Sequence, residues 1–265
     1  MTWLKNLLWR LGLFVFLGGK KKQSDVASVL KLIRPTSCVK NLCLMGNRND
    51  GSYFIPEDIS DIEAVISPGV GPTSVFEKSV YQKFGIKSIL VDPTVEPVEE
   101  EFVLEYISKF FGVRDDCENI SLSSIISRNE FQKIIVQMDI EGGEYSVISS
   151  LTPDDLKASK VWIVEFHFLN FLFLDFVQNI ISDALRNLLT MNEPVWINVN
   201  DTSTVCKIGD MYIPSTVEVT FVNREFFELK KRGSIGLDEM FMRPDFDGMI
   251  SRGLREKIVK TFNEL

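Results

Sequence analysis

Three carboxylates and two glycines fall within VQMDIEGGEYSVI, residues 136–148, where an apolar run ends in a turn. Asp139, Glu141 and Glu144 supply the charge. A second apolar run, VWIVEFH, ends in Glu165 and in His167, the chain's one histidine. Residues i and i+2 of a strand share a side, so Glu165 and His167 face one pocket if the strand stays regular to its end. An imidazole titrating near neutrality, oriented by a carboxylate, is suited to taking a proton from a hydroxyl. His167, Glu165 and Asp139 are therefore the candidate catalytic residues. The same three form an oxygen/nitrogen set for a divalent metal, a less favoured alternative because there is one histidine and no clean ligand spacing. Glu144 falls in the first turn of the following helix, where a carboxylate complements the helix dipole.

The stretch ISPGVGPTSVFE, residues 66–77, is the second constellation. Gly69 and Gly71 let the backbone approach a ligand closely, and the helix start adds oriented N–H groups. Position 74 is serine, so the third glycine of the dinucleotide fingerprint is missing, and no G-K-[ST] follows. Asp92 ends the next strand, about twenty residues further on, where an acid bonds ribose hydroxyls. Loop and acid, in that order, point to an adenosine-type ligand bound by Gly69, Gly71 and Asp92.

The elements that must position these residues alternate. SDVASVLKLIR reads as a helix stopped by Pro35. Residues 63–67, 87–92, 133–139 and 160–167 read as buried strands. Helices are expected over 73–85, 145–151 and 173–189, the first ended by Gly85. Strands alternating with helices imply an α/β, doubly wound, mostly parallel sheet. Two further strands, 194–200 and 215–223, have no helix between them and suit an antiparallel pair at one edge. In such a sheet ligands sit beyond the carboxyl ends of the strands, where Asp139, Glu141, Glu165 and His167 all lie.

The 265 residues, 45% hydrophobic, suffice for one large domain. A net charge of −8 disfavours a general nucleic-acid partner. Cys38, Cys43, Cys117 and Cys206 lack paired C-x-x-C spacing and read as reduced thiols of a cytoplasmic protein. The N-terminus differs: WLKNLLWRLGLFVFLGGKKK mixes tryptophans, leucines and cations. As a helix, residues 3–17 would span roughly 22 Å, short of the hydrocarbon core of ~30 Å. Residues 3–22 therefore suit peripheral contact with the inner membrane face. A signal peptide, or packing on the protein's own domain, are the rival readings. The expected division is a helical segment over 1–40 and a catalytic domain over 41–265.

In order along the chain, NRNDGSYFIP, ISPGVGPTSVFEKSV, ILVDPT, VQMDIEGGEYSVI, WIVEFHFL and IPSTVEVTFVNR resemble the FkbM-type methyltransferases, a branch of the class I S-adenosylmethionine-dependent enzymes. The most specific piece is MDIEGGEY, and the resemblance spans about residues 45–225. It implies a Rossmann-like seven-stranded sheet and a donor site over the glycine loop. It also implies O-methylation of a hydroxyl on a sugar, polysaccharide or similar small molecule. The cationic donor favours nearby carboxylates, which adds Glu141 to the donor-binding set. Two other readings stand beside this one. A catalytically silent binding or scaffold module at the membrane draws on Pro72 in the loop and on Asn198 and Asn200. A nicotinamide-dependent oxidoreductase has the missing third glycine against it.

Overall fold

The computed structural model describes residues 23–46, 51–71, 73–97, 99–200, 202–231 and 250–265. Pro72 and the amphipathic stretch at residues 3–22 lie outside the described residues. No helix among the described residues is long and apolar enough to cross a membrane.

Seven strands make the central sheet: β1 (Ala64–Pro68), β2 (Ser88–Val91), β3 (Val103–Ile107), β4 (Ile134–Met138), β5 (Ser159–Phe166), β6 (Asn192–Val199) and β7 (Val217–Asn223). Their spatial order is β6-β7-β5-β4-β1-β2-β3. The strands from β5 through β3 pair in parallel, and β7 runs antiparallel to both β5 and β6. The expected antiparallel pair is present, with β6 at the edge and β7 inserted between β6 and β5. Every residue of β1, β2, β4 and β5 is buried. Helices cover both faces of a parallel sheet, which is why these strands read as unbroken apolar runs.

The pleat sorts each strand between two cores. Ile66, Val136, Trp162 and Val164 join the larger one, with buried residues of α1 (Gln23–Ile33), α3 (Leu122–Asn129), α4 (Glu144–Ser150), α5 (Pro153–Ala158) and α6 (Asp175–Leu188). Val65, Ile135, Val161 and Ile163 join Phe76 and Val80 of α2 (Val75–Phe84) and the strand Tyr53–Pro56. By the same alternation Ser67, Gln137 and Glu165 belong to the α2 side. Helix α1 packs on α6, where Gln178 Nε2 donates to the Asp25 carbonyl at 2.7 Å. A final helix, α7 (Arg252–Glu264), buries Ile258 and Phe262 and packs on the strand Met211–Pro214.

Local signals set the helix ends. Gly85 takes a left-handed φ of 72° and returns its N–H to Tyr81 O at 2.7 Å, closing α2. Thr152 and Asp155 form a reciprocal capping box that starts α5, with Pro153 in its first turn. All four cysteines are free thiols.

Candidate active site

The chain moves outward from β1 through β2 to β3, then returns to place β4 on the other flank of β1. That reversal opens a crevice at the carboxyl ends of β1 and β4. The glycine loop leaves β1 at this point and the acidic turn leaves β4. Asp139 N–H donates to Pro68 O at 3.2 Å and ties the two together. Gly69 has a φ of +81°, and a Cβ there would collide with the Asp139 carbonyl. Its lack of a side chain thus serves the crossing of loop over turn. Around Gly71 a Cβ would meet nothing within 4 Å among the described residues, which leaves room for a ligand.

Under the loop is a cavity of about 200 Å³, lined by Gly69, Gly71, Thr73, Glu77, Gln137 and Asp139 among others. Ser67 Oγ bonds Glu77 Oε1 and Gln137 Oε1, and Gln137 Nε2 donates to Tyr53 Oη at 3.3 Å. Glu77, Ser67 and Gln137 were not sequence candidates. An acid in a helical first turn, and two polar residues in apolar strands, were the available signals.

His167 follows β5 directly and stands among four carboxylates. Its Nδ1 is 3.1 Å from Glu144 Oε1. Its Nε2 is 3.5 Å from Glu141 Oε2 and 3.8 Å from both Asp139 Oδ1 and Glu165 Oε1. The candidates Asp139, Glu141, Glu165 and His167 are therefore brought together. Glu144, read from the sequence as complementing the helix dipole, is the residue that holds the ring. It has no exposed side-chain surface, and its Oε1 also accepts from Ile140 N and Gly142 N. The turn that achieves this runs through left-handed backbone at Glu141 (φ 54°) and Gly142 (φ 104°).

Burial works against the imidazolium. The Glu144 hydrogen bond and the charges of Glu144, Asp139 and Glu141 outweigh it, so the His167 pKa is raised above its ordinary value. With Nδ1 donating to Glu144, the neutral ring presents Nε2 as an acceptor. Asp139, Glu144 and His167 also offer ligand atoms within 4.8 Å of one another, close enough to share a divalent cation. Glu144 thus stands where the sequence-based metal set had Glu165.

Asn198 and Asn200 hold carboxylates. Asn200 Nδ2 donates to Glu165 Oε1 at 2.7 Å, and Asn198 Nδ2 to Glu218 Oε2 at 2.9 Å. Glu165 and Glu218 are directly opposed across β5 and β7, and both are buried. Polar oxygens so buried need donors, and each asparagine supplies one.

Asp92 stands at the carboxyl end of β2, outside the cavity under the loop. Its Oδ1 accepts from Thr94 N and Thr94 Oγ1, both at 2.6 Å. On the other side of His167 lies an apolar groove of about 430 Å³, walled by Phe168, Phe171, Phe176 and Ile180. All four are substantially exposed. The Phe168 ring rests on Gly142, where a Cβ would overlap it.

Residues 57–188 match the family model described as the methyltransferase FkbM domain. The match takes in the glycine loop, Asp92, the acidic turn and His167. No curated protein matches the chain.

Proposed function

We propose, on the premise that the chain carries a methyltransferase domain of the FkbM family over residues 57–188, that it methylates a hydroxyl of a glycan or small-molecule acceptor, with S-adenosylmethionine as donor. When bound, that donor supplies an electrophilic methyl group. The residues present suit it: open space at Gly71, a cavity under the loop, and an acid at the end of β2. Gly69, Gly71, Asp92 and Glu141 would hold it, with Asp92 placed for ribose hydroxyls and Glu141 adding negative charge at the rim.

The observation that carries the reading is the His167–Glu144 pair. A base needs a third group to orient it, and a buried carboxylate on Nδ1 does so while leaving Nε2 free to accept a proton. Glu165, fixed by Asn200, and Asp139 face the same nitrogen and stabilise the imidazolium once it forms. The groove beside Phe168 favours an acceptor with an apolar flank next to its reactive hydroxyl. Nothing in this chemistry calls for a nucleic acid. Peripheral attachment through residues 3–22 at the inner membrane face completes the proposal.

Titration with S-adenosylhomocysteine, followed by methyl-transfer assays on hydroxylated glycans and amphiphiles, tests it. Binding of the product nucleoside with transfer in wild type and none in His167→Ala is the expected result. Binding with no transfer to any hydroxyl acceptor would favour the silent-module reading. The trio Asp139, Glu144 and His167 supports a second version in which a divalent cation, rather than the imidazole, handles the acceptor oxygen.

A further inference from the structure

A bulky ring stands beside His167 in a strained conformation. Phe168 has a left-handed φ of 63° and is 48% exposed. Few aromatic residues adopt that backbone, and strain of this kind gathers at ligand clamps. The surroundings hold it in place. Gly142, at φ 104°, has no Cβ to obstruct the ring, and Tyr145 Oη donates to the His167 carbonyl. The His167 and Phe168 ring centroids are 6.2 Å apart.

The facing wall is helical. The outward stripe of α6 carries Asp175, Asn179, Asp183 and Arg186, yet Phe176 and Ile180 are 57% and 52% exposed. Four residues apart, they share one face. Ile181, Leu185 and Leu188 already anchor the helix in the core, so this pair adds nothing there. Between the two walls the groove of about 430 Å³ is large enough for a ligand, and none of its lining residues among those described is charged. An aliphatic chain gains by entering it, whereas a polar group would lose its hydration.

At the His167 end the character reverses. The Glu141 carboxylate is exposed, with Oε2 3.5 Å from Nε2. A phosphate or carboxylate brought to Nε2 would meet it as a like charge, while a sugar hydroxyl can donate to it. The chain's route toward a bilayer agrees with an apolar ligand. The 22 residues that precede α1, which suit the membrane interface, end at Gln23, and α1 packs on α6, the helix that walls the groove.

We propose that the groove takes the aliphatic chain of a neutral glycolipid, and that the acceptor hydroxyl lies on the sugar joined directly to that chain. The proposal rests on the methyl-transfer reading above and narrows its acceptor class. Phe168 adjoins His167, so the hydroxyl at Nε2 and the first carbons of the chain are neighbouring parts of one molecule. The hydroxyl oxygen gains the methyl group as the sulfonium–carbon bond breaks, and its proton passes to His167 Nε2. A diphosphate link between sugar and chain would place like charge beside Glu141.

The test uses the full-length chain with methyl and octyl glycosides of several neutral hexoses and deoxyhexoses, kept below the micelle concentration. Calorimetry reads affinity and a parallel assay reads methyl transfer. Octyl glycosides should bind at least tenfold more tightly than methyl glycosides, about the gain from burying two methylene groups. Octyl phosphate, with the same chain and an anionic head, should bind more weakly than the octyl glycosides. Phe176→Ser with Ile180→Ser should abolish the chain-length ratio, and Ile180→Ser alone provides the comparison should the double variant fail to fold. Equal affinity for methyl and octyl glycosides in wild type overturns the proposal, and is the result expected if residues 3–17 or a second copy fill the groove. A ratio that survives in the variants, or octyl phosphate binding as tightly as the glycosides, overturns it too. Transfer to methyl and octyl glycosides with equal kcat/KM sinks this proposal and leaves the methyl-transfer reading standing. Chain-dependent binding with no transfer to any glycoside sinks both.

Discussion

Glu144 Oε1 and His167 Nδ1 stand 3.1 Å apart, although 23 positions separate them in the chain. The contact joins the helix after β4 to the end of β5. It sets a buried carboxylate against one ring nitrogen and fixes the orientation of the imidazole.

That pairing predicts the kinetics. His167→Ala should lower kcat by about 10²-fold or more with little change in donor affinity. Glu144→Gln should also lower kcat, and should move the rising limb of the pH–rate profile to lower pH by removing the charge that raises the histidine's pKa. In wild type the rate should climb with pH through that raised value, because only neutral imidazole accepts a proton. Full activity in His167→Ala would eliminate the base assignment. Loss of activity on chelation with recovery on adding Mg²⁺ or Mn²⁺ would establish the cation version instead.

The same pair sets a stability profile. His167 has a raised pKa in the folded state, so its contribution favours the charged form. That contribution is fully present below the unfolded value near 6.5 and is lost as pH rises through the folded value. The melting-temperature difference between wild type and His167→Gln should therefore be largest in mild acid and shrink toward alkaline pH. A difference that grows with pH would contradict the sign.

The two loop glycines should separate cleanly. Gly69→Ala forces a side chain into the Asp139 carbonyl at a left-handed φ and should destabilise the fold by about 3 kcal/mol or more. Gly71→Ala points into open space and should leave denaturant stability within about 1 kcal/mol of wild type, with any effect appearing in donor binding. Equal destabilisation by both would refute this division of labour.

Asp92→Ala should weaken S-adenosylhomocysteine binding by about 1–3 kcal/mol, as for loss of a charge-assisted hydrogen bond. Thr94 also loses its acceptor in this variant, so circular dichroism and a melting curve must accompany the titration. Unchanged affinity in a folded variant removes Asp92 from the donor site.

Deleting residues 1–22 should release the protein from anionic vesicles while leaving the sheet folded, since every central strand lies downstream. Co-sedimentation of both forms to the same extent would point to packing of that segment on the domain.

Much of the scaffold was written in local pattern. The runs AVISP, SILV, IIVQM and VWIVEF are apolar because both sheet faces are covered, and that is legible residue by residue. Gly85 ended its helix where expected. Several elements escaped notice, α5 and α7 among them, and two show why. The edge strand β3, VLEYI, is only partly buried and carries a glutamate, and α3, LSSIISRN, is short and serine-rich. Neither has the periodicity that a covered strand or a long amphipathic helix displays.

The sequence by itself determined the α/β class, the glycine loop, the acids at the strand ends and the acidic turn beside the lone histidine. Only tertiary structure decided that Glu144 rather than Glu165 orients that histidine, that Glu77 turns under the loop, and that β7 enters between β5 and β6. It also made Asn200 the partner of Glu165 and separated the roles of Gly69 and Gly71. Periodicity and capping act over a few neighbouring residues, where backbone geometry alone fixes which side chains meet. Contacts between residues far apart in the chain depend on strand order, register and the turn taken at each strand end. These are set by close packing of the whole domain.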